Sequence, residues 1–477
     1  MRKCGTKPKL ILSPTVDPMV ESAKVVALIA VYGASVALAP SPAWAIALIA
    51  LLLVLPILWW TLSGPHRWLA VFFAAALLLP PLPIAIGNSG PHPAIALAAV
   101  GLLVGFLRVR EWRISVNLLS CAVVFFFCVL LASVGFAAVY SGAAIAAGVL
   151  ARVLLFGVAV YAFFYAVYGP DAKAGGSIRS VRLLFLTSIL VALFACIDFY
   201  FQLPAPAGYG PQFVWLDTGV YRRAQGLFYE ASTLGNFCTF FLVMIAVALF
   251  RPAAQRPLSR IWLLIGGVVL SSALIFSYSR ASLLNLAVAI MVLFYARRIR
   301  LKRVAIALLI SFCAAALVVY SVFPSFAYSY WLRLSASFQY FWTSPEGILS
   351  GRVASWRTLV GFLVEHPWYS VFGIGYKTLP YSDFIGRTVI ADNMYLSLLV
   401  ETGIVGLFAF MVLNFAILRT GWRASRSGSE RGAFFGTWIL CFWTGQLVQM
   451  LSGDLMTYWR VLPVYFWVLA VAAREAA

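Results

Sequence analysis

Apolar runs close to the ~20 residues that cross a bilayer as a helix follow one another almost without pause through the first two thirds of the chain. They lie at 23–40, 43–62, 68–88, 92–107, 117–140, 143–167, 183–203, 226–250, 261–278, 281–296 and 304–323, and resume at 393–418, 433–451 and 460–473. The pattern predicts an all-α polytopic membrane protein, a bundle of roughly 12–14 transmembrane helices. The one long interruption is 324–392. Inside it Val353, Trp356, Val360 and Leu363 recur at helical spacing, so Gly351 to Glu365 reads as an amphipathic helix lying on the membrane surface or over the bundle. Ser350-Gly351 opens that helix and Pro367 follows its end.

Composition agrees with the pattern: 63% of residues are hydrophobic and 10% charged, against about 25% charged in soluble domains. The net charge of +20 would suggest nucleic acid in a soluble protein. Here its distribution follows the excess of Lys and Arg in cytoplasmic loops, and no nucleic-acid partner is expected. Arg2, Lys3, Lys7 and Lys9 mark a cytoplasmic tail over 1–22, and alternate loops stay basic to Arg474, while those at 41–42, 89–91 and 141–142 carry no Lys or Arg. Both termini are therefore expected inside and 324–392 outside, periplasmic if the membrane is a bacterial inner membrane. The tail is polar and no cleavage site follows the first apolar run, so no cleavable signal is expected. The chain divides into N-terminal transmembrane helices (23–203), a core (204–418) containing the long loop, and C-terminal helices (419–477).

Against this charge rule, Arg222, Arg223, Arg280, Arg333, Arg352, Arg357, Lys377 and Arg387 fall on the outer side. A cation at that depth is expensive without a partner. The guanidinium fork suits phosphate oxygens, and lipid-linked phosphate is the supply at that face. Pairing with Asp217, Glu230, Glu365 or Asp392, or with lipid head groups, is the structural alternative. Arg152, inside a span, is expected to pair with Asp198 across helices. Of three histidines, His366 follows the amphipathic helix and precedes Pro367-Trp368 and Gly373-Ile374-Gly375. Imidazole is a side chain suited to proton abstraction near neutral pH, so His366 is the candidate base. The outer acids are isolated and no metal motif occurs, so no metal or other cofactor is expected. The seven cysteines form no CxxC pair and, Cys4 apart, read as small core residues.

Four patches resemble the O-antigen ligase and O-antigen polymerase superfamily of bacterial envelope glycosyltransferases. They are Arg223-Ala-Gln-Gly-Leu-Phe228; Ser277-Tyr-Ser-Arg280-Ala-Ser282; Gly351-Arg352 with Trp356, His366-Pro-Trp368 and Gly373-Ile-Gly375; and Asn393-Met-Tyr395-Leu396 with Glu401-Thr-Gly403 and Gly406. The resemblance implies a metal-independent, inverting glycosyltransferase. It would move a glycan from undecaprenyl pyrophosphate to the lipid A core or to a second lipid-linked glycan. His366 would activate the acceptor hydroxyl, Arg223 and Arg280 would neutralise pyrophosphate, and Arg352 would position donor or acceptor. Glu230, Asp392, Asn393 and Tyr395 would support them. In this family a His commonly precedes the Asn of the fourth patch, where this chain has Asp392. A transporter or flippase of lipid-linked sugars is the alternative. It would show interrupted spans near the midplane and charges through both leaflets, whereas the unusual charges here gather on one face.

Overall fold

The computed structural model describes residues 31, 58–61, 64, 67–82, 91–170, 178–204, 212–216, 219–296, 301–339 and 352–476. Most of the first two expected spans, the tail 1–22, and Asp217, Trp342, Glu346, Ser350 and Gly351 lie outside them. Two compact units are present, Met1–Arg67 and Trp68–Ala477. In the first, the Arg67 guanidinium lies 5.0 Å from the Trp60 ring centre.

Among its described residues the second unit is helical apart from one short hairpin. Six helices among them are long and apolar enough to cross a membrane: Leu118–Ser141, Ala143–Tyr168, Arg179–Phe201, Ala231–Leu249, Met394–Ser425 and Glu430–Ser452. Five shorter apolar helices accompany them, among them Arg260–Phe276 and Arg280–Ala296. The chain is thus an all-α, multi-pass membrane protein. Caps fall where the spans begin. Asn117 accepts from the Ser120 amide (2.9 Å), and Ser429 from Gly432 (3.2 Å), each satisfying a donor that the first turn leaves open.

The bundle interior is held by small and uncharged polar residues. Asn236 and Asn285 each donate to the Oε1 atoms of Gln446 and Gln449, at 2.8 Å from both asparagines to Gln449. Gln449 donates to Ser282 Oγ (3.1 Å) and Tyr465 to Asn236 Oδ1 (2.7 Å). This network joins four helices where no water competes, the setting in which interhelical hydrogen bonds act as glue.

Two expectations are corrected here. Asp198 pairs not with Arg152 but with Arg222, at 2.5 Å and buried, while Arg152 stacks on the Tyr381 ring at 4.0 Å. The cysteines are not uniformly core. Cys238 and Cys441 are buried, but Cys121, Cys128 and Cys313 lie on helix exteriors, because a helix facing lipid is as apolar outside as inside.

The described part of the interruption 324–392, residues 324–339 and 352–392, is structured. Its described residues form helices Pro324–Gln339, Arg352–Glu365 and Tyr369–Phe372, then a compact turn region. The 352–365 helix lies where the apolar pattern placed it, but its buried stripe runs through Leu359 rather than Val360, which is half exposed. Leu359 packs with Ile374, Leu379, Val389, Ala391 and Val400, a small core that seats this segment on the 394–425 helix. The Trp356 indole fastens the helix by donating to the Ala391 carbonyl (2.7 Å).

The docking site is a break in a spanning helix. Gly403, inside Met394–Ser425, has non-helical φ 68° and ψ −171°. Beside it the Val400 and Glu401 carbonyls accept from the Ile374 and Gly375 amides (3.2 and 2.8 Å). The two glycine motifs of the sequence thus meet backbone to backbone.

Candidate functional site

The site begins with a hairpin too short to register as a period. Strands Phe213–Leu216 and Gly219–Arg222 pair antiparallel, Phe213 opposite Arg222. Gln202 clamps the second strand, accepting from the Arg222 amide (2.7 Å) and donating to its carbonyl (3.2 Å). Successive side chains at a strand point to opposite sides, and the Arg222-Arg223 pair is divided accordingly. Arg222 turns into the bundle toward Asp198 and also donates to the Leu203 carbonyl (2.5 Å). Arg223 emerges on the other side and donates through Nε to the Ser277 carbonyl (2.9 Å).

Ser277 opens the second patch. Tyr278 has φ +56°, a left-handed conformation that is costly for a bulky residue and tends to occur at functional sites. The Ser282 amide then donates to Ser279 Oγ (3.4 Å) at the start of the 280–296 helix, so Arg280 stands at a helix N-terminus, where anions are favoured. The 324–339 helix adds Arg333, stacked 4.3 Å over the Tyr278 ring, and Tyr330, whose ring centre lies 5.1 Å from that of Tyr278.

These groups form one electrostatic cluster. Burial first, then the charge of Arg333, pushes Arg223 down to about 10, against Tyr330, Tyr278 and Glu230, which favour its charge. Arg280 feels the charges of Arg333 and Arg352. Burial pushes the Tyr330 phenol up, and its hydroxyl has no hydrogen-bond partner among the described residues. Gathered cations with a partnerless buried donor form an arrangement that an anion would complete.

Acidic groups border it. Arg352 Nε lies 3.0 Å from Asp392 Oδ2, with Asp392 half exposed and at φ +46°. Glu230 precedes the 231–249 helix and accepts from Ser232 Oγ (2.8 Å). Asn393 caps the 394–425 helix, accepting from the Tyr395 and Leu396 amides (both 3.1 Å), and the Tyr395 hydroxyl donates to the Leu447 carbonyl (2.9 Å). Those two residues carry visible structural tasks.

Arg223, Arg280, Arg352, Glu230 and Asp392 are therefore brought together, and His366 is not. It is exposed at the far end of the helix that Arg352 begins, about 21 Å away along fourteen residues at ~1.5 Å each. Its ring instead neighbours Phe362 and Tyr369, at 5.3 and 6.1 Å between centres.

The sequence reading passed over Arg460 and took Tyr330 for part of a loop. Arg460 is buried and donates to the Ala76 and Leu79 carbonyls (2.6 and 2.8 Å) and to that of Leu227. His92, beside it, donates to the Leu79 carbonyl and caps the 93–107 helix. Both tie segment ends together. A lone Arg at the start of an apolar run was the only available signal.

Comparison with known proteins gives one match. Residues 265–411 match the family model described as O-antigen ligase, a stretch that contains Arg280, Tyr330, Arg333, Arg352, His366 and Asp392 but not Arg223. No curated protein sequence matches the chain. Over this stretch, 265–411, the chain is similar to the O-antigen ligase family, which supports its resemblance to the O-antigen ligase and O-antigen polymerase superfamily.

Proposed function

We propose that this protein is a glycosyltransferase that moves a glycan from undecaprenyl pyrophosphate to an acceptor hydroxyl at the periplasmic face of the bacterial inner membrane. The acceptor is the lipid A core, as in an O-antigen ligase, or a second lipid-linked glycan, as in a polymerase. The observation that carries the reading is the gathering of Arg223, Arg280 and Arg333 about Tyr330, whose hydroxyl has no hydrogen-bond partner among the described residues, with Arg352 close enough to Arg280 for their charges to interact. Their summed charge suits a pyrophosphate. As the acceptor oxygen bonds to the anomeric carbon, the bond to pyrophosphate breaks and the arginines stabilise the charge left on the leaving group, with no metal required. Attack from the opposite side inverts the anomeric centre.

The acceptor proton needs a base. Carboxylates serve this purpose in inverting glycosyl chemistry, and Asp392 stands at the rim of the cluster. His366 would have to cross the length of a helix to reach the same point. Geometry therefore favours Asp392, with His366 the rival that mutation must eliminate.

The direct test uses purified protein and a lipid-linked glycan, offering a lipid A core and a second lipid-linked unit in parallel. Elongation of one names the activity. Elongation of neither, in protein that remains folded, overturns the proposal. Transfer is expected to survive EDTA, and strict loss restored by Mg²⁺ would refute metal independence.

Two substitutions probe the phosphate floor. Arg223→Lys keeps the charge but loses the fork that holds Ser277 while meeting phosphate. The donor KM is expected to rise about tenfold, and an unchanged KM counts against a fork-type contact. Tyr330→Phe is expected to reduce transfer several-fold while leaving the melting temperature unchanged or higher, since it removes a buried donor left unpaired. A lower melting temperature with full activity would make the hydroxyl structural.

A further inference from the structure

One flank of the 352–365 helix opens a hollow of about 450 Å³ that the transfer chemistry above does not use. Its volume lies within the ordinary range of small-molecule sites, roughly 300–1,000 Å³. One wall is formed by Phe362, Phe384 and Ile385. Tyr369 backs it without lining it, stacked on Phe362 (5.5 Å between ring centres) and edge-on to Phe384 (5.4 Å). The other side is polar, formed by Glu365, His366 and Thr358. Glu365 and His366 are exposed, and their side chains make no hydrogen bond or ion pair among the described residues.

Two glycines keep the hollow open. A side chain at Gly361 or Gly386 would meet nothing within 4 Å, so neither glycine is demanded by close packing at those points. An apolar wall facing a carboxylate and an imidazole matches a sugar ring, whose C–H face is apolar and whose rim carries hydroxyls; the Thr358 hydroxyl is itself engaged by the Ala354 carbonyl and Arg387. The hollow also lies along the helix that Arg352 begins. Thr358 is about 9 Å and His366 about 21 Å from Arg352 at ~1.5 Å per residue, a span comparable to a few sugar units.

We infer that this hollow is a saccharide-binding subsite, which takes sugar units remote from the reacting anomeric carbon. The inference rests on the glycosyltransferase reading for its ligand. His366 is then a sugar contact, binding hydroxyls rather than accepting the acceptor proton. The occupant belongs to the donor glycan or to the acceptor glycan; both present the same chemistry, and kinetics separate them.

The test blocks the hollow without disturbing the core. Gly361→Leu places a side chain in open space on a helix whose propensity it improves, and His366→Ala removes one polar contact. In full-length protein in lipid nanodiscs, initial rates are measured with a donor bearing one sugar and a donor bearing a complete repeat unit. Gly361→Leu is expected to raise KM about tenfold for the longer donor alone; a shift confined to the acceptor KM assigns the hollow to the acceptor. Equal changes for short and long glycans, or none, overturn the inference.

A second measurement does not depend on turnover. The repeat-unit oligosaccharide, released from its lipid by mild acid, is titrated while tryptophan fluorescence is read, since Trp368 beside His366 is 85% exposed. Saturable quenching in the wild type that Gly361→Leu abolishes supports the subsite even if transfer itself fails. No quenching at millimolar sugar, or equal quenching in both proteins, overturns it.

Discussion

Asp392→Asn is expected to lower glycan transfer by about 1,000-fold, within the range for a lost general base, while His366→Ala retains activity within about tenfold of wild type. The two substitutions separate the base expected from the sequence, His366, from the carboxylate that stands beside the arginines, Asp392. Asn keeps the size of the side chain and an oxygen facing Arg352 Nε, at 3.0 Å in the native pair, so the arginine retains a partner and the fold should survive. What Asn lacks is the capacity to take a proton. The left-handed backbone at position 392, φ +46°, is also one that Asn adopts readily, so backbone strain does not confound the comparison. The effect should fall on kcat with donor affinity nearly unchanged, the signature of an interaction used in the transition state. If His366→Ala instead removes activity and Asp392→Asn does not, the histidine is the base and the 352–365 helix must reorient during turnover.

The reason His366 was attractive in sequence, and is remote in space, lies in the geometry of one helix. His366 lies fourteen positions after Arg352, a near neighbour in a motif but about 21 Å away when helical. Apolar runs anticipated the six helices long enough to cross a membrane and the position of the 352–365 helix, while several other expected spans are shorter helices. Apolar periodicity misplaced the buried stripe by one residue, taking Val360 where Leu359 is buried, because both lie near the boundary of the same apolar face. Arg222 and Arg223 looked alike in the sequence. A four-residue strand, Gly219–Arg222, gives one to Asp198 and the other to the cluster, and so short a strand leaves no alternation to detect. The charge pattern of the sequence singled out Arg223, Arg280, Arg333 and Arg352 together with four other cations. It could not show that Tyr330 lies among them, since a tyrosine in an aromatic-rich segment carries no comparable signal.

Gly403→Ala is expected to prevent recovery of the native fold, or at minimum to cost ~3 kcal/mol. Two effects act together. Gly403 holds φ 68° and ψ −171°, a region open essentially to glycine alone. A Cβ there would also overlap the Val371 carbonyl and the Phe372 amide, backbone atoms that cannot move aside singly. Gly373, at φ +75°, faces the same junction, and its Cβ would overlap the backbone of Glu401. Either substitution separates the 373–375 turn from the broken helix and frees the amides that donate to Val400 and Glu401. The segment carrying Arg352 and Asp392 is seated by that contact, so activity should fail together with stability. Gly361→Ala is the control. It lies in a helix with open space around it, and alanine there should be neutral or stabilising by up to ~1 kcal/mol. Thermal melts in detergent decide the matter: a Gly403→Ala protein melting within about 2 °C of wild type would show that the backbone junction does not hold the site together.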